Sequence, residues 1–234
     1  PVLPASGALF VGACSESALL PGAVKADKAR GGALSRALKV SRFKGKKGQI
    51  LEIPAPQGAR ASRIILLGLG KPGDFDGLRL EEAVAGVMGR LASSGDAAVT
   101  FEIDAPKVAK IKSASAAAHI AFAARLKNYR FNRYRTKNLD EHQSGIKAVK
   151  ILTPDAAAAR KAWAPLSAVA DGLLFARDLV NEPPNILYPA EFARRAKTLS
   201  RLGVKVEVLG EAALKKLGFG ALLGVGQGSV RESQ

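Results

Sequence analysis

The 234 residues are 47% hydrophobic and 24% charged, which supplies apolar material for a packed core and excludes a disordered tail. No apolar run approaches the roughly 20 residues of a membrane helix, and no charged-then-apolar signal segment opens the sequence, so a soluble, unexported protein with no membrane partner is expected. The formal net charge of +16 is uneven: residues 1–104 carry 14 basic and 10 acidic side chains, residues 105–150 carry 11 and 2, and residues 151–234 carry 11 and 8. A basic face so concentrated suits polyanions, a solvated surface or an acidic neighbouring subunit. Cys14 is the single cysteine, and the only histidines are His119 and His142. No disulfide framework and no zinc-type spacing follows from these, Cys14 reads as a small buried residue in an apolar strand, and a reducing cytoplasm is the expected location.

Residues 7–14 are small and apolar and read as a strand, 33–40 as a short helix, and 45–48 as a basic turn. A second strand over 49–53 is closed by Pro54 and Pro56. Residues 63–67 form a continuous apolar run bounded by glycine, as in a fully buried strand. Asp76 is a plausible N-cap for a helix over 78–93, with Glu81 and Glu82 near its positive end. A strand at 98–103, an alanine-rich helix over 113–129 and a strand at 149–152 follow. This alternation predicts an α/β domain over residues 1–152, with a mostly parallel or mixed sheet covered by helices.

Thr153, Pro154 and Asp155 then provide a capping hydroxyl, a proline for the first helical position and an early acid. The long helical stretch from 153 to 180 is expected to kink or restart at Pro165, with Leu166, Val169, Leu173, Ala176 and Val180 as a buried stripe. Asn181-Glu182-Pro183-Pro184-Asn185 ends it. Beyond this, 189–201 reads as a helix stopped by Gly203, 204–208 as a strand, 211–217 as a helix, and 221–225 as another strand. So few elements cannot bury a core of their own, so residues 181–234 are expected to be the incomplete start of a second α/β domain.

Two stretches carry a family resemblance. One runs Ala176-Arg177-Asp178-Leu179-Val180-Asn181-Glu182-Pro183-Pro184-Asn185, continues through Pro189, and resumes at Gly218-Phe219-Gly220-Ala221-Leu222-Leu223-Gly224-Val225-Gly226-Gln227-Gly228-Ser229. The other is Tyr129-Arg130-Phe131-Asn132-Arg133-Tyr134-Arg135-Thr136-Lys137. Together they resemble the leucyl aminopeptidases of the dinuclear-metal family. The resemblance implies a macro-like N-terminal domain, a connector helix and the opening of a catalytic domain. It also implies cytoplasmic homo-hexamers that remove N-terminal residues, often leucine, from peptide substrates with two divalent metals, Mn or Zn. Tyr188 departs from the threonine that relatives often carry there, which weakens a helix cap. The family's metal ligands, a lysine, aspartates and a glutamate in two characteristic segments, have no counterpart before Gln234. No catalytic or metal residue is therefore assigned, and the chain alone is expected to be inactive.

Other chemical signals are weaker. Gly68-Leu69-Gly70-Lys71-Pro72-Gly73 matches a dinucleotide fingerprint in form, but Pro72 delays the helix, and a strand-end turn is the expectation. Gly224 to Gly228 is read as a turn with close backbone approach. Asp171 and Asp178 share a helix face and are expected to be solvated, and His119 to be a packed or surface residue. Between Arg125 and Lys137, six basic residues interleave with Tyr129, Phe131 and Tyr134. Arg130, Arg133, Arg135 and Lys137 could hold DNA or another nucleic acid while the rings stack on bases. Alternatively, the rings are buried at a junction and the arginines pair with acids.

Overall fold

The computed structural model describes residues 7–56, 61–91, 94–137 and 145–234. His142 and the expected helix end at 92–93 lie outside the described residues. The chain divides into two compact units, residues 1–174 and 175–234.

In the first unit the sheet is built around β1 (Ala8–Cys14), all seven of whose residues are buried. Parallel neighbours flank it on both sides, β4 (Arg63–Gly68) and β5 (Ala98–Glu102), and β6 (Ala148–Ile151) extends the sheet parallel to β5. An antiparallel edge strand, β3 (Ile50–Pro54), pairs with β4, and the short β2 (Ala18–Leu19) folds back on β1. The order is β3-β4-β1-β5-β6, a mixed sheet.

Helices cover both faces, which explains the continuous apolar runs at 8–14 and 63–68, since a strand covered on both sides needs no polar alternate. Ala8, Phe10, Ile65 and Leu67 face one core, with α3 (Gly77–Leu91) and α4 (Ser113–Lys127). Leu9, Val11, Ile64 and Leu66 face the other, with α1 (Pro21–Lys28) and α2 (Ala33–Val40). Phe10 and Phe101 stack at 4.7 Å between ring centroids. Ala116, Ala123 and Ala124 of α4 join the core that it shares with α3 and let it lie close against that helix. Asp76 caps α3, its Oδ1 accepting the Arg79 N–H at 2.9 Å. Helix α1 had no counterpart in the sequence reading. Its Pro21-Gly22 start looks like a turn, yet proline fits the first helical position.

The long helix is a single element, α5 (Ala156–Asn181), with Pro165 inside it rather than at a break. Its cap is Asp155, whose Oδ1 accepts the Ala158 N–H at 2.9 Å, and not Thr153, whose hydroxyl is buried without a hydrogen-bond partner. The expected stripe is displaced. Val169, Leu173 and Val180 are exposed, and Ala170 is the buried position. The packed face follows Ser167, Ala170 and Asp171 because Arg125 of α4 bonds to Ser167 O, Ser167 Oγ and Asp171 Oδ1.

The second unit contains α6 (Pro189–Lys197), a 3₁₀ segment (Thr198–Leu202), α7 (Glu211–Lys216) and α8 (Gly220–Gly226). Gly203, at φ +83°, stops the 3₁₀ segment. Residues 204–210 form no strand, and the run at 221–225 belongs to α8, not to a strand. A strand needs a partner for its N–H and C=O groups, and the described residues of this unit offer none. A short apolar run such as 221–225 is ambiguous by periodicity.

Candidate functional site

The basic loop follows directly from the end of α4. Arg130, Arg133, Arg135 and Lys137 are all exposed. Arg130 curls back, its Nη1 donating to Lys127 O at 3.0 Å and to Tyr129 O at 2.8 Å, so its head is fixed near the helix end, where carbonyls favour a cation. Phe131 and Tyr134 meet edge to face at 5.8 Å, with the Arg133 guanidinium 5.8 Å from the Phe131 ring centre. Tyr134 is 47% exposed, whereas Tyr129 and Phe131 are partly buried. Arg125, at the start of the basic stretch, pairs with Asp171 instead of standing free of acids.

The glycine turn after β4 is committed to the fold. Gly68 N donates to Gln49 O, Leu69 N to Ala13 O and Gly70 N to Gly45 O, each within 2.8–2.9 Å. These amides are spent on protein carbonyls and α3 begins only at Gly77, so no phosphate cradle forms. Gly68 is required by close approach, since a Cβ there would fall 2.2 Å from Lys46 O. Gly224 and Gly226 lie in α8, so the expected turn is confined to Gln227 and Gly228.

His119 is partly buried, and its Nδ1 lies 2.5 Å from Glu81 Oε1 across the α3–α4 contact. Cys14 is buried, and burial pushes its thiol pKa up, away from the reactive thiolate.

The segment that carries the family resemblance is held by charge. Glu182, with no exposed side-chain surface, accepts from Arg195 Nη1 at 3.1 Å, and Arg195 Nε donates to Glu191 Oε1 at 2.8 Å. Arg194 donates to both Glu191 oxygens, at 2.6 and 2.7 Å. Hydrogen bonds from Arg194 and then Arg195 pull the Glu191 pKa down to about 2. This network ties the turn after α5 to α6, and the link was not visible in the sequence because Glu182 lies thirteen residues from Arg195. Tyr188 makes no side-chain cap for α6, and its ring instead receives the Arg231 guanidinium at 3.7 Å.

Among the described residues, no group of three or more His, Cys, Asp or Glu side chains could hold a metal ion. The described residues do not fit a two-metal centre, which needs several converging carboxylates. Among the described residues, no helix is long and apolar enough to cross a membrane.

Comparison with known proteins bears on both units. The profile of the cytosol aminopeptidase family N-terminal domain matches residues 9–138, and that of the family's catalytic domain matches residues 174–234. A probable cytosol aminopeptidase of Caulobacter vibrioides is 47% identical over 230 residues, covering 98% of this chain and 45% of the relative. Another, from a Bradyrhizobium species, is 46% identical over 240 residues, covering 100% of this chain and 46% of the relative. The chain thus spans just under half the length of these relatives. Among solved structures, the bottromycin maturation enzyme BotP is similar with a TM-score of 0.70 at 27% identity, over 96% of this chain and 44% of that one. A tomato leucine aminopeptidase variant shares the fold, with a TM-score of 0.72 at 23% identity over 91% of this chain and 43% of that one.

Proposed function

Because the chain belongs to the cytosol aminopeptidase family, we propose that it is the N-terminal portion of a metal-dependent enzyme that removes N-terminal residues, often leucine, from peptides. The observation that carries this is the match to the family's N-terminal domain followed by a match to the start of its catalytic domain, in a chain that is 47% identical to a probable cytosol aminopeptidase along 98% of its length. In this reading residues 1–152 form a macro-like domain, 153–180 a connector helix, and 181–234 the opening of the catalytic domain. The assembly is a cytoplasmic homo-hexamer. In this reading the metals are two Mn or Zn ions, with their ligands outside these residues.

The test has two arms. The 234-residue chain, supplied with Mn or Zn, is expected to release nothing from a leucyl anilide, and turnover by pure material overturns the placement of the chemistry elsewhere. Fused to the remaining part of the Caulobacter relative, the same residues are expected to give metal-dependent hydrolysis. A folded but inactive fusion counts against the reading.

A second reading is duplex DNA binding by Arg130, Arg133, Arg135 and Lys137. One observation favours it, the exposure of all four along a single loop. The relatives' names give it no support.

A further inference from the structure

A crevice of the first unit is lined by both acidic and basic side chains. It has a volume of about 220 Å³ and lies where the first turn of α1 meets the carboxyl ends of β5 and β6. Strands are added on one side of β1 by β4 and on the other by β5, and the carboxyl ends of strands near such a reversal are where open α/β sheets take ligands.

The crevice is lined by Lys25, Glu102, Asp104 and Thr153. Glu102 is only 5% exposed. Its Oε1 accepts from Lys25 Nζ at 3.3 Å, while its Oε2 is buried with no hydrogen-bond partner. Thr153 Oγ1 is likewise buried without one. Asp104 accepts the Gly22 backbone N–H, and burial raises its pKa. Arg30, buried nearby, feels the charge of Glu102. The lining itself carries one cation and two acids, with Arg30 behind Glu102, so a phosphate is not matched by it, whereas a ligand bearing both an ammonium and a carboxylate finds an acid and a lysine. Larger cofactors occupy sites of roughly 300–1,000 Å³, above this volume.

We propose that the crevice binds a free α-amino acid. The ammonium is held by Glu102 Oε2 and Thr153 Oγ1, the two buried oxygens without a partner. The carboxylate meets Lys25, whose side chain is 43% exposed, and the ligand's apolar part lies against Pro21, Leu152 and Pro154. The choice of an amino acid among small ammonium compounds rests on the aminopeptidase reading, whose product it is, and makes the site a sensor of that product.

Calorimetric titration of the 234-residue chain tests this with L-leucine, isoamylamine, which lacks the carboxylate, and isocaproate, which lacks the ammonium. Leucine is expected to bind saturably, isoamylamine about tenfold more weakly, and isocaproate not at all. Glu102→Gln and Thr153→Val, each checked by its melting curve, are expected to weaken leucine at least about tenfold and about threefold. Absence of saturable binding up to about 10 mM leucine overturns the proposal. So does equal binding of isocaproate, or unchanged affinity in both folded variants. Hydrolysis plays no part in this readout, so its failure leaves the peptidase assays untouched, and their failure leaves the binding untouched.

Discussion

Asp104 is partly buried against the first turn of α1, where desolvation raises its pKa and the Gly22 N–H and Lys25 only partly offset the rise. An acid whose folded pKa lies above the unfolded value favours the folded state while it is protonated. That contribution is full below about the ordinary 3.8 and is lost as pH rises through the higher folded value. Asp104→Asn keeps an acceptor for Gly22 without the charge. Its urea midpoint is therefore expected to gain on the parent's as pH rises from about 3 to about 7, and parallel profiles would refute the assignment. Little of this corner was legible in the sequence. Glu102 and Asp104 look there like the ordinary end of a strand, and only the packing of α1 over them makes the position costly. Cys14 was legible, because a small thiol in an apolar run has few other fates.

Helix α1 meets β5 through Gly22, where a Cβ would lie 2.7 Å from both the Glu102 backbone oxygen and its Cγ. The backbone oxygen cannot swing aside as a side-chain tip can, so Gly22→Ala is expected to cost about 1–3 kcal/mol, measured as a lower urea midpoint. An unchanged midpoint would show that α1 can slide. The strands at 8–14 and 64–68 were readable because burial on both faces writes an unbroken apolar run. The stripe on α5 was misjudged for a different reason. Apolar periodicity names a face, but the Arg125 bonds to Ser167 and Asp171 chose a neighbouring one. In the second unit, 204–210 has the alternation of a strand and no partner among the described residues to make it one.

At the scale of the whole molecule, the charge of +16 and the loop from Tyr129 to Lys137 were plain in the sequence, and so was the family-like turn at 181–185. The network that holds that turn was not, since Glu182 and Arg195 come together only when α6 folds back. Net charge alone attracts duplex DNA weakly and diffusely, whereas a loop that grips phosphates releases a definite number of counterions. The two are separable at equal charge. Replacing Arg130, Arg133 and Arg135 by Gln removes three charges from the loop, and replacing the exposed Arg160, Lys161 and Lys205 by Gln removes three elsewhere. If the loop is the site, the first set flattens the slope of log affinity against log salt by about 3, roughly one for each phosphate no longer neutralised, and the second barely changes it. Equal reductions in both sets would mean that the duplex feels only the overall field. Undetectable binding by the parent at low salt would leave the basic surface to a neighbouring subunit.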